Sequence, residues 1–103
     1  MAFAPEFFPD IEAFEWDEGN SAKNWTRHRV SQAEAEQVFL NRPLLVATDP
    51  THSAHEARRF ALGRTDGGRG VMVVFTLRRS RLRVISARPM SRRERKVYAE
   101  AET

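Results

Sequence analysis

The chain contains no cysteine among its 103 residues, which excludes disulfide stapling and thiolate chemistry and fits a cytoplasmic protein. No apolar run approaches the ~18–20 residues needed to span a bilayer, so no membrane role is expected. The opening Met1–Asp10 has no basic residue and is broken by Pro5 and Pro9, unlike a secretory leader. Lysine is scarce: Lys23 and Lys96 are the only two, and arginine supplies the other cations. What remains is ordinary globular material, 41% hydrophobic and 10% aromatic, in a length that suits one domain.

Charge is segregated along that length. Residues 1–51 hold 9 acidic and 4 basic side chains, whereas residues 52–103 hold 5 acidic and 13 basic ones. Arginine presents a planar, permanently charged fork that grips phosphate in a bidentate manner, so the basic half suits an RNA or phosphate partner. A solvated arginine-rich surface is the simpler alternative.

Residues 1–10 read as a loose lead and residues 11–103 as a single domain. Phe14–Trp16 is a short strand or the apolar entry to a helix. Asp17 is placed to cap a helix over roughly 18–28, with Ala22 and Trp25 facing inward. Ser31 and Glu34 form a capping box for a helix that buries Ala35, Val38 and Phe39 and stops near Asn41, before Pro43. Strand patterns follow at Leu44–Ala47, Arg58–Thr65, Val71–Leu77 and Leu82–Ala87. The hairpin at Asp66-Gly67-Gly68 draws on the positive φ that glycine allows. Ser91 and Glu94 repeat the capping box and open a last helix that can bury Val97, Tyr98 and Ala101. The expectation is an α+β fold: N-terminal helices, a sheet of about four antiparallel strands, and a C-terminal helix. Two-residue alternation sets Arg58 and Arg64 on the Phe60/Leu62 side of one strand. It sets Arg81 and Arg83 on one side of the next hairpin arm with Ile85, and leaves Arg88 at that arm's end.

Three stretches resemble the BrnT family of toxins, within the RelE-like ribonucleases. Phe14-Glu15-Trp16-Asp17-Glu18, Lys23-Asn24 and Arg27-His28-x-Val30-Ser31 are similar to its opening signature. Glu56-x-Arg58 and Ala61-Leu62-Gly63-Arg64-Thr65 resemble its middle. Val74-Phe75-Thr76, Arg83-x-Ile85-Ser86-Ala87-Arg88, Glu94 and Tyr98 resemble its close. The pieces run in one order over roughly residues 14–98. Departures are Arg29, where members usually have a glycine ending the helix, Ala57 in place of a glutamate, and Arg59 in place of an aromatic.

The resemblance implies a compact RelE-like fold and metal-independent endoribonuclease activity that inhibits translation, with no cofactor. A BrnA-like antitoxin is the implied partner, covering the basic face, supplying DNA binding and forming a hetero-oligomer with the toxin. Such a ribonuclease must deprotonate the ribose 2′-OH, stabilise a pentavalent phosphorane and protonate the leaving 5′-oxygen. Arg64 and Arg88 are the leading catalytic candidates, with His28 and Glu56 for proton transfer; Lys23, Arg58 and Arg83 are candidates for binding RNA. Each has a structural alternative: a strand-end ion pair for Arg64, orientation of the last helix for Arg88, pairing with Glu56 for Arg58, a macrodipole-stabilised helix end for His28. Tyr98 reads as packing, and His52, His55 and Glu56 lack a fourth ligand for a metal. A catalytically inactive module that binds nucleic acid or antitoxin is the competing function.

Overall fold

Each helix begins on a side chain suited to cap it. Asp17 accepts a hydrogen bond from the Gly19 N–H at 2.7 Å and starts α1, Glu18–His28. Ser31 and Glu34 exchange side-chain-to-backbone bonds at the start of α2, Gln32–Leu40, and Ser91 and Glu94 do the same for α3, Arg92–Ala101. In both pairs an otherwise orphaned amide is satisfied at each end of the box. The computed structural model describes residues 2–48 and 57–102.

Among the described residues six strands join in one sheet: β1 (Ala4–Pro5), β2 (Ala13–Glu15), β3 (Leu45–Thr48), β4 (Arg59–Arg64), β5 (Gly70–Arg78) and β6 (Arg81–Pro89), in the order β1-β3-β4-β5-β6-β2. The four inner strands are the antiparallel meander that the sequence led us to expect. Two corrections follow. The sheet has six strands rather than four, and it is mixed, because β2 lies parallel to β6. The opening lead is also tied down, with Ala4 and Pro5 paired to Val46 and Leu45 and Phe8 meeting the Phe75 ring edge-on at 6.1 Å.

One sheet face carries Ala61, Val71, Val73, Phe75, Val84 and Ala87 against Ala35, Val38 and Phe39 of α2. Helix and sheet meet closely at Gly63, where an added Cβ would lie 2.6 Å from Val38 Cγ1. The other face holds a smaller cluster, with Leu45, Leu62 and Met72 packed against Met90 and Tyr98. Tyr98 is buried there and donates to the Pro43 carbonyl at 2.6 Å, a packing role that also pins α3 to the chain beyond α2. Val97 is half-buried, but Ala101 is exposed.

α1 buries a different residue from the two expected. Ala22 is exposed and Trp25 is 49% exposed, while Asn24 is buried. The reason lies in the sheet. β2 pairs only with Arg81–Arg83, so the rest of β6 has a free edge, and Asn24 Oδ1 accepts the Ala87 N–H at 3.1 Å. A backbone donor at a covered edge needs an acceptor, which an apolar side chain cannot provide. α1 ends at Arg29 in the left-handed region (φ 53, ψ 37), with the Arg29 and Val30 amides returning to Trp25 and Asn24. In the β4–β5 hairpin only Gly68 has positive φ, and Arg79 (φ 58) turns β5 into β6.

Candidate active site on the α3 face of the sheet

A register shift between Val74 and Phe75 decides which arginines share a face. Val74 opposes Ser86 and Phe75 opposes Val84, so Ile85 is the extra residue of a β-bulge on β6. Plain alternation would send Arg83 and Arg88 to opposite faces. The bulge reverses the phase: Arg83 pairs with Thr76 and Arg88 with Met72, both on the α3 face of β5. Phe60 and Leu62 belong to that face, so Arg64, and Arg58 just before β4, fall on it by alternation.

Arg88 is the most constrained of these. Its guanidinium grips the Glu94 carboxylate through two bonds, Nη1 to Oε1 at 2.8 Å and Nη2 to Oε2 at 2.9 Å. Oε1 of Glu94 also accepts the Ser91 N–H, so one carboxylate closes the capping box and holds the arginine. Burial works to raise the Glu94 carboxyl, but the bonds from Arg88 and from the Ser91 backbone, with the Arg88 charge, outweigh it and hold the group below its ordinary value. Beside the pair opens a cavity of ≈ 380 Å³ lined by Phe3, Phe60, Met72, Arg88, Ser91, Arg93, Glu94 and Val97. Its floor is apolar and its rim carries two guanidiniums.

Arg64 stands apart. It is exposed, pairs with Glu102 at the far end of α3 at 3.6 Å, and borders a separate cavity with Tyr98 and Arg95. That pair is the strand-end ion pair the sequence allowed. Burial, with the Glu102 charge and against that of Arg64, raises the Tyr98 hydroxyl above its ordinary value. Arg83 is half-exposed and reaches Asp17 at 4.0 Å. Lys23 and His28 ride on α1, along β6, and line neither cavity. The His28 carbonyl accepts from Arg69 Nη2 at 3.0 Å. Arg58 is half-buried. Glu56, with His52 and His55, lies outside the described residues; among the described residues no three His, Cys, Asp or Glu side chains cluster as a metal site.

The sequence model of the family described as "Ribonuclease toxin, BrnT, of type II toxin-antitoxin system" matches residues 16–94. The chain belongs to the BrnT family. The crystal structure of the Brucella abortus ribonuclease toxin BrnT has a similar fold, with a TM-score of 0.58 and 27% identity over 78% of this chain and 97% of that one. No curated protein matches the chain.

The BrnT span begins at Trp16, whose indole N–H donates to Glu36 on α2 at 2.9 Å, and ends at Glu94, the partner of Arg88. It thus encloses the four inner strands but neither β1 nor most of α3. Sequence reasoning singled out Arg88 and overlooked what surrounds it. In the sequence Glu94 reads as a cap and as part of the family resemblance, and the structure makes the same carboxylate the counter-ion. Phe60 reads only as one face of a strand, and Phe3 as part of the lead. Arg69 was missed as well: it binds the His28 and Arg29 carbonyls and Glu34, joining the end of α1 to the cap of α2. The Ser31 backbone bond, aided by Arg69 against burial, lowers the Glu34 carboxyl. No local signal marks Arg69, since its partners lie 35 to 41 residues away.

Proposed function

We propose that this BrnT-family chain is a RelE-like, metal-independent endoribonuclease, toxic through inhibition of translation and silenced by a BrnA-like antitoxin that covers the basic face and carries the DNA-binding part. The observation that supports it is the bulge at Ile85, which brings Arg83 and Arg88 to the sheet face that holds Arg58, beside a cavity rimmed by Arg93. Four permanent cations on an open face match a polyanion whose charge does not titrate.

In this reading a 2′-oxygen attacks the neighbouring phosphorus, the P–O5′ bond breaks, and the products are a 2′,3′-cyclic phosphate and a 5′-hydroxyl. Arg88 exchanges Glu94 for the non-bridging oxygens as charge builds in the phosphorane, a stabilisation that grows towards the transition state. Arg64 assists from the other end of α3. His28 and Glu56 take the proton-transfer roles, and Lys23, Arg58 and Arg83 hold the flanking strand. The reaction is cytoplasmic and needs no cofactor.

Induction of the chain alone should arrest growth, and the purified chain should cut RNA in EDTA to fragments with cyclic phosphate ends. The Arg64→Ala, Arg88→Ala double variant should lose both by 10²-fold or more, the order expected when charge stabilisation is removed. Unimpaired growth on induction of the wild-type chain, or cleavage that EDTA abolishes, would refute the assignment.

A further inference from the structure

The cavity beside Arg88 has a composition that phosphate binding alone does not account for. Its floor is Phe60, Met72 and Val97, and one wall is Phe3. Phe3 lies outside the family span, and it is held in place because the adjoining Ala4–Pro5 pairs with β3 and the Glu6 N–H reaches the Leu44 carbonyl at 2.9 Å. A segment added at the sheet edge thus contributes an aromatic ring to a pocket whose rim belongs to the proposed active site. At ≈ 380 Å³ the space is at the small end of the ~300–1,000 Å³ range for ligand sites, too small for a helix or strand. Two aromatic rings, an apolar floor and a rim where the Arg93 guanidinium stands beside the Arg88–Glu94 pair correspond to the two halves of a nucleotide: a flat apolar base and its anionic phosphate, for which Arg88 exchanges Glu94. Among the described residues Arg93 has no ion-pair partner and is exposed, so its charge is available at that rim.

We propose that this cavity is a nucleobase subsite: one unpaired base of the RNA inserts against Phe3 and Phe60, and the adjoining phosphate lies on Arg88 and Arg93. The subsite rests on the ribonuclease reading and deepens it. It anchors the strand so that a neighbouring phosphate meets Arg88, and it makes Phe3, from outside the family span, a determinant of substrate register.

A 2′-O-methyl oligoribonucleotide lacks the attacking hydroxyl, so its binding can be measured whether or not the chain cleaves RNA. An abasic unit is walked through each position of such a 12-mer, and affinity is read by fluorescence anisotropy. One position should show a loss of about 5- to 100-fold, the range for removing one base stack. 2-Aminopurine at that position should be quenched. Val97→Trp, which fills the cavity from α3, should bind the intact and abasic oligomers equally, and Phe3→Ala should shrink the difference several-fold. Thermal unfolding of both variants establishes that they fold; should Val97→Trp fail, the wild-type scan and Phe3→Ala still decide. A flat abasic scan, or no binding, overturns the proposal, and a flat scan with cleavage intact gives the cavity to a side chain of a protein partner. Position-dependent binding without cleavage of ordinary RNA upholds the subsite and removes the ribonuclease assignment instead.

Discussion

Substituting Glu94 by glutamine separates the two duties of one carboxylate. Gln retains the length and the acceptor needed at the third position of a capping box, so α3 should still start at Ser91. The charge is lost, and with it the two-pronged contact to Arg88 at 2.8 and 2.9 Å. Charge-assisted bonds contribute roughly 1.5–3 kcal/mol each when sheltered. Here the Arg88 side chain is 35% exposed and both bonds share one carboxylate, so solvent screening reduces their sum. A net loss of about 1–2 kcal/mol follows, which lowers Tm by roughly 5–15 °C in a domain of this size. The pH dependence carries the sign. Because the folded carboxyl sits below its ordinary value of 4.5, its contribution is complete above the unfolded value and disappears as pH falls through the folded one. Calorimetric Tm measured between pH 7 and pH 3 should therefore show the wild type and Glu94→Gln converging in acid. A gap that stays constant or widens as pH falls would refute the assignment of the ion pair.

Two further predictions concern the scaffold. Gly63→Ala places a Cβ against Val38 Cγ1 and the Val38 carbonyl and should cost about 1–3 kcal/mol, whereas Gly70→Ala meets only the flexible end of Met90 and should cost less than about 1 kcal/mol; equal urea midpoints would disprove close packing of α2 on β4. Arg29→Gly relieves a left-handed residue and should stabilise the chain by about 0.5–1 kcal/mol, after loss of the Arg29–Trp25 ring contact at 5.3 Å; a lower urea midpoint would mean that the ring contact outweighs the backbone strain.

The parts of the fold legible in the sequence are those built from neighbours in the chain. Asp17, Ser31 and Ser91 cap their helices within three residues of themselves, and the runs around Phe60, Val73 and Val84 alternate as inner strands do. β1 escaped, and β2 was legible only as one of two readings of Phe14–Trp16, because two or three residues carry no period; their pairing is decided by which edges the meander leaves open. The inward face of α1 escaped for the same reason, as the need for Asn24 exists only once β6 has a free amide at Ala87. For the site, alternation assigned Arg58 and Arg64 to a face, but the bulge at Ile85 leaves no local trace and carries Arg83 and Arg88 to one side. The partners Glu94 and Glu102 became visible only when α3 was laid on the sheet.

The opening segment joins β1 at one edge of the sheet to β2 at the other. Five strand spacings of about 4.8 Å separate those edges, roughly 24 Å in all. The eight residue steps from Pro5 to Ala13 reach at most about 26–29 Å when drawn straight. The segment bends at Pro9–Asp10 and passes over Phe75 by way of Phe8, so it works as a girth strap fastened at both edges. Were the β1 end to come unbuckled, the ring of Phe3 would leave the cavity with it.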